Sequence, residues 1–132
     1  MGEFGIGTYA AIVKKAEGDA NISYFKELLE IAKSDTIYLQ KLAMEPDEFG
    51  SILNNVAWDN YNKGEYSSAL DFFEMEISLL DALGKTGNDD YLSIIPCEVM
   101  CIIDLRNYNL AKSHANYYLN LVKRYKGDNH IV

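Results

Sequence analysis

Between positions 53 and 80 the apolar residues recur with the period of a helix, broken once. Leu53, Val56, Ala57 and Asn60 fall at i, i+3, i+4 and i+7 and share one face of a first helix. Ala69, Phe73, Glu76 and Ile77 repeat that spacing on a second, with Leu70 and Leu80 flanking them. Lys63-Gly64 stands between the two. Glycine takes positive φ without strain, so Gly64 can end the first helix. Tyr66 is placed to pack over this turn, and Ser67 or Ser68 to cap the second helix. A helix pair with two apolar faces cannot bury both alone, so the pair predicts neighbours.

The flanking sequence supplies them. Positions 8–16 predict a short helix with Tyr9, Ile12 and Val13 on one side, broken by Gly18-Asp19. Positions 22–44 carry Phe25, Leu28, Leu29, Ala32, Leu39 and Ala43 near helical spacing, and Ser34-Asp35-Thr36 could cap a second helix within them. Pro46-Asp47-Glu48 predicts a loop, and 84–90 another. Positions 92–105 predict a helix with Ile95, Val99 and Ile102 inward and Pro96 in its first turn, where a missing N–H costs little. Arg106-Asn107 makes the next turn. Positions 110–125 predict the last helix, with Ala111, Ala115, Tyr118, Leu119 and Val122 inward and Lys126-Gly127 ending it. No strand-like alternation persists, so the expected class is all-α.

The chain also repeats itself. Tyr66 and Tyr108 are 42 positions apart, and Ala57 and Val99, Ala69 and Ala111, Leu79 and Leu121, and Phe49 and Tyr91 keep that step. Tyr24 precedes Tyr66 by the same 42, although Glu27 then falls where Ala69 and Ala111 sit. Three repeats follow, about 7–48, 49–90 and 91–132, the first irregular as terminal caps are. The closing Gly-Asp-Asn-His-Ile-Val resembles the start of another inter-repeat loop, so the sequence reads as a piece that a longer protein could continue. In that last helix Tyr117, Tyr118, Leu121 and Tyr125 are expected to lie uncovered, which predicts self-association through 110–125 or a further segment.

Ala57, Gly64, Tyr66, Ala69 and Phe73 resemble the small-residue, Gly, Tyr, Ala, Phe spacing of the tetratricopeptide (TPR) repeat. The run from Leu53 through the Asn54-Asn55 pair is similar to the long repeats of kinesin light chains and of bacterial peptide-sensing regulators. Asn60 and Glu76 depart from the pattern, in places usually held by an aromatic and an alanine. The resemblance implies a right-handed TPR-like superhelix, an α-solenoid of about three antiparallel helix pairs, whose first helices line a concave groove for a partner.

Asn54, Trp58 and Tyr61 lie on a face of the first helix beside its buried stripe, with Asn55 one place around. Asparagine amides offer a donor and an acceptor and can pair with an extended peptide backbone whatever its sequence. Trp58 would add an apolar anchor. The other reading is that Trp58 packs on the third repeat and the asparagines cap or bridge helices. The equivalent places in the third repeat hold Ser93, Pro96, Met100 and Ile103, and Ser93 and Met100 join the candidate partner-binding set. No lysine or arginine is expected on this face, so a basic clamp for a C-terminal carboxylate is missing.

Charge and chemistry narrow the class. The 132 residues carry a net charge of −8, which disfavours nucleic acid and anionic membrane surfaces and suits a neutral or basic protein partner. No run is apolar enough to span a bilayer and no signal-peptide order opens the chain, so a cytoplasmic location is expected. The acids Asp71, Glu74, Glu76, Asp81, Asp89 and Asp90 read as a solvated face, or else as a docking patch for a basic peptide. No P-loop, GxSxG, HExxH or GxGxxG motif is present, and His114 and His130 are the only histidines. His114 is expected to face solvent. Cys97, Cys101 and His114 would offer three zinc ligands, but a structural zinc site takes four, so the two cysteines read as small buried fillers. The sequence therefore predicts a non-enzymatic protein-interaction module without metal or cofactor, with a metal-binding or enzymatic protein as a distant alternative. It binds a peptide or helix in a groove, or else serves as a scaffold stacking through its terminal repeats.

Overall fold

The computed structural model describes residues 25, 26, 29, 30 and 46–127, positions 46–49 by backbone alone. Four helices occupy the continuous part: α1 (Pro46–Asn62), α2 (Tyr66–Ala82), α3 (Asp89–Asp104) and α4 (Tyr108–Lys126). No strand occurs among the described residues, and positions 25, 26, 29 and 30 are also helical. The predicted helix at 8–16, the split at Ser34-Asp35-Thr36 and most of the first repeat lie outside the described residues.

Local chemistry sets the helix ends, and several differ from the sequence expectation. Helix α1 begins at Pro46, inside the predicted loop, because proline's fixed φ suits the first helical position, where its missing N–H would be unpaired anyway. Helix α2 begins at Tyr66 with Glu65 as its N-cap and no side-chain cap, so neither Ser67 nor Ser68 caps it. The Ala69 N–H already reaches the Glu65 carbonyl at 3.0 Å, which closes the first turn ahead of the serines. Helix α3 starts at Asp89, because the Asn88 side chain accepts from the Tyr91 N–H at 2.9 Å and Asp89 and Asp90 add negative charge to the first turn. Pro96 therefore sits in mid-helix, not in the first turn, and the Leu92 carbonyl loses its helical donor. The Asn107 side chain caps α4 by accepting from the Leu110 N–H, and Lys123, Arg124 and Lys126 complement its C-terminal dipole.

The step of 42 extends to the backbone. Gly64 takes φ of 82° after α1, and Arg106, 42 positions on, takes 68° after α3. The Glu65 N–H bonds the Asn60 carbonyl at 2.9 Å, and the Asn107 N–H bonds that of Ile102 at 3.2 Å. The Gly64 and Arg106 N–H groups bond the Tyr61 and Ile103 carbonyls, both at 2.9 Å. Two hairpins thus share one turn geometry, built once with glycine and once with arginine.

Each helix packs chiefly on its neighbour in the chain. One core joins Leu53, Val56 and Ala57 of α1, Phe72, Phe73 and Leu79 of α2, and Ile94 and Cys101 of α3. Phe25 and Leu29 seal it from the N-terminal side, with the Phe25 and Phe72 rings edge-to-face at 5.4 Å. A second core holds Tyr91, Leu92 and Ile95 of α3 against Leu121 and Val122 of α4. Ile77 and Leu80 of α2 pack against both. Within α2 the deepest residues include Phe72 and Met75, whereas Glu76 and Ile77, expected inward, are half-buried. On α4, Leu121 is buried, contrary to expectation, Tyr118, expected both to turn inward and to lie uncovered, is half-buried, and Leu119, expected inward, is 40 % exposed. The inward stripe runs through Ala111, Tyr118 and Val122, and Leu119 lies one step round from it. Tyr117 and Tyr125 are exposed as expected. The Lys126 ammonium pairs with Asp89, and the Tyr125 ring lies over Gly87, so the end of α4 closes on the α2–α3 loop. No described helix is long and apolar enough to cross a membrane.

Arg106 carries a Cβ in a backbone region that disfavours one. Arg106→Gly is expected to raise the melting temperature by a few degrees, whereas Gly64→Ala, at the matching turn, should cost about 1 kcal/mol in urea unfolding. Equal, small changes of one sign at both positions would contradict the shared-turn reading.

Candidate functional site

The N-terminal half of α1, the C-terminal part of α2 and the start of α3 surround a cleft of ≈ 380 Å³. Leu79, Leu80, Leu83 and Ile94 supply its apolar surface. Asn54, Asn55, Glu76, Asp90 and Ser93 supply polar groups. Three of the six residues predicted for partner binding, Asn54, Asn55 and Ser93, thus meet in one depression. They come from α1 and α3, the first helices of successive hairpins.

The polar groups are partly preorganised. The Asn54 Nδ2 donates to Glu76 Oε1 at 3.1 Å, which bridges α1 to α2 and leaves the Asn54 amide oxygen as an acceptor. Ser93 Oγ donates to the Asp90 carbonyl at 2.7 Å. Asn55 is exposed. Burial pushes the Glu76 carboxyl up to about 7; the Asn54 hydrogen bond pulls it back and the Asp90 charge adds to the rise. Lys85, from the loop after α2, also lines the cleft, so the expected absence of a basic residue here does not hold. The periodic positions of the helices could not reveal it, because it is a loop residue.

The other predicted residues lie outside this depression. Trp58, one turn further along α1, is half-buried, edge-to-face with Phe73 at 5.5 Å and with Tyr61 at 5.7 Å. The Tyr61 hydroxyl donates to the Asp104 carboxylate and so ties α1 to the end of α3. That hydrogen bond, then desolvation, pushes the Tyr61 phenol up to about 12. The Tyr66 ring stands 5.0 Å from that of Tyr61, over the turn as expected. Met100 is half-buried on α3, and Pro96 and Ile103 are exposed there. The predicted face thus divides into an open polar end and an end where Trp58 and Tyr61 are held by neighbouring helices.

Cys101 is fully buried, and burial pushes its thiol up to about 12. Cys97 is half-buried, more open than a core filler, and its thiol is also raised, by burial first. Neither joins a group of three ligands with His114 among the described residues. His114 is half-buried, less open than expected. Of the acids, Glu74, Asp81, Asp89 and Asp90 are exposed as expected and Asp71 and Glu76 are half-buried; Glu76 and Asp90 line the cleft, Asp89 pairs with Lys126, and Asp81 accepts from Thr86 at 2.5 Å. The sequence missed Glu76 and Asp90 as cleft residues. Glu76 did carry a signal, as an acid at an inward helical position.

Glu76 binds its proton more tightly in the folded chain than in the unfolded one, where a glutamate titrates near 4.5. Its stabilising contribution is therefore complete below about pH 4.5 and lost as the pH rises through about 7. Glu76→Gln removes that loss. The stability of the variant relative to the parent should increase between about pH 5 and pH 8 in urea unfolding, and a constant difference would contradict the assignment.

No protein-family model matches this chain, and no curated protein or solved structure matches it at a significant level.

Proposed function

We propose that this chain is a non-enzymatic protein-interaction module, TPR-like in architecture, which holds an extended peptide segment of a partner in the cleft between α1, α2 and α3. The observation that carries this reading is the convergence of Asn54, Asn55 and Ser93 over an apolar floor. Amides and a hydroxyl can pair with a peptide backbone independently of its sequence, and Leu79, Leu80 and Ile94 can take an apolar side chain. Glu76 and Asp90, within a chain of net charge −8, favour a neutral or basic segment. Trp58 and Tyr61 extend the same face of α1 and give a longer segment a rigid aromatic border.

A second reading is favoured by α4. Tyr108, Tyr117, Leu119 and Tyr125 are each at least 40 % exposed on one helix. Ring-rich surface of that extent suits stacking of one copy on another.

An array of synthetic peptides graded from acidic to basic tests the first reading. Basic and neutral peptides should bind, acidic ones should not, and Asn55→Ala and Asp90→Lys should each weaken binding about fivefold or more. Both positions are exposed, so the variants should fold, Asp90→Lys at a cost of about 1 kcal/mol or less to the first turn of α3. Binding indifferent to peptide charge and to both substitutions would remove the cleft from the function. A sedimentation mass that rises with concentration and falls back in Tyr117→Lys would then support self-association in its place.

A further inference from the structure

Away from the cleft, Glu98 is the one charged side chain among the described residues that is buried, at 5 % exposure. It lies on the inward side of α3, near Ile95, Cys101 and Ile102 in sequence, where a carboxylate needs donors or a counter-charge. No described residue donates a hydrogen bond to it or pairs with it within ion-pair distance, and its oxygens keep some contact with solvent, since no fully buried side-chain oxygen among the described residues lacks a partner. Burial, and secondarily the Glu74 charge, pushes its carboxyl up to about 8. Its polar surroundings are specific: Glu74 of α2 and His114 of α4 each bring a ligand-type atom, and these and a Glu98 oxygen all lie within 4.8 Å of one another.

Three consecutive helices thus bring two carboxylates and one imidazole within reach of one another. The His114 Nδ1 lies 3.3 Å from the Leu110 carbonyl. A carbonyl only accepts, so this contact places the ring proton on Nδ1 and leaves the Nε2 lone pair free, the arrangement that backbone carbonyls impose on metal-binding histidines. Glu74 is exposed and His114 half-buried, which gives an ion an entry path, while Glu98 supplies the buried floor. A tetrahedral ion with bonds of about 2.1 Å needs its ligand atoms about 3.4 Å apart, so atoms up to 4.8 Å apart would close by at most about 1.4 Å, through rotation of the accessible Glu74 and His114.

We propose that Glu74, Glu98 and His114 form a divalent transition-metal site of the zinc type, joining α2, α3 and α4 and completed by water. An imidazole donor and only three protein ligands suit zinc and its neighbours rather than calcium or magnesium, which take more oxygen ligands or keep their water. The site clamps α4 to the two helices before it. It is separate from the peptide cleft, which none of its three ligands lines.

Calorimetric titration of the whole chain with zinc chloride in a buffer that does not chelate is the test, paired with the absorption spectrum of the cobalt(II) form. One equivalent should bind and raise the melting temperature. Glu98→Gln and His114→Gln should each weaken binding about tenfold or more, as should Glu74→Gln at its exposed position, whose fold is not in question. His130→Gln should bind as the parent does, and the cobalt spectrum should lack a thiolate charge-transfer band. Absence of stoichiometric binding would overturn the proposal. So would binding unchanged in Glu74→Gln and His114→Gln, or a thiolate band lost on replacing Cys97 or Cys101 with serine.

Discussion

Everything described here depends on α2 being apolar enough on two sides to serve two cores. Phe72, Phe73 and Leu79 bury against α1 and α3, while Ile77 and Leu80 reach the core that α3 builds with α4. Neither hairpin could bury its apolar surface alone, and the shared helix is what joins them into one body. Burying rings of the size of Phe72 and Phe73 contributes several kcal/mol, about the usual loss of 3–5 kcal/mol when such a residue is cut back to alanine. Phe25 and Leu29 extend the same principle towards the N-terminus, so the packing is serial, each helix covered by the next.

Serial packing also explains where the polar chemistry sits. A helix that must be covered on two sides has little surface left for solvent, and polar residues on its borders face neighbouring helices. Glu76 on α2 meets Asn54, and Glu74 on the same helix meets Glu98 and His114. One helix therefore contributes an acid to the cleft and another to the three-helix cluster, two positions apart and so on different sides. Tyr61 and Asp104 form a further polar link, between the ends of α1 and α3. Burying such groups costs desolvation, which raises the carboxyls of Glu76 and Glu98, and the Tyr61–Asp104 bond ties one hairpin to the next.

Much of the helical layout was legible in the sequence because it rests on period and turn chemistry. The α1 stripe of Leu53, Val56, Ala57 and Asn60 is buried throughout, and Gly64 makes the turn it was expected to make. The step of 42 proved deeper than residue identity, since Arg106 adopts the positive φ of Gly64 without being glycine. Helix starts were less legible. Pro46 and Asn88 act through backbone and capping geometry that periodicity does not register, so α1 and α3 begin earlier than expected. Of the candidate site, Asn54, Asn55 and Ser93 were readable from their helical phase. Trp58 and Tyr61 were readable only as a face, because the neighbours that hold them, Phe73 and Asp104, come from other helices. Lys85 and the meeting of Glu98 with His114 depend on how helices stack, which no single-helix pattern encodes.

Native-state hydrogen exchange, resolved by residue at increasing denaturant, tests the serial account most directly. Helix α2 is covered on two sides and α4 chiefly by α3, so their openings should differ in free energy. The amides of Phe73, Met75 and Leu79 should exchange only through global unfolding, and those of Leu119 and Val122 through an earlier opening that leaves α1 and α2 intact. Equal protection of α2 and α4, with one shared dependence on denaturant, would contradict it.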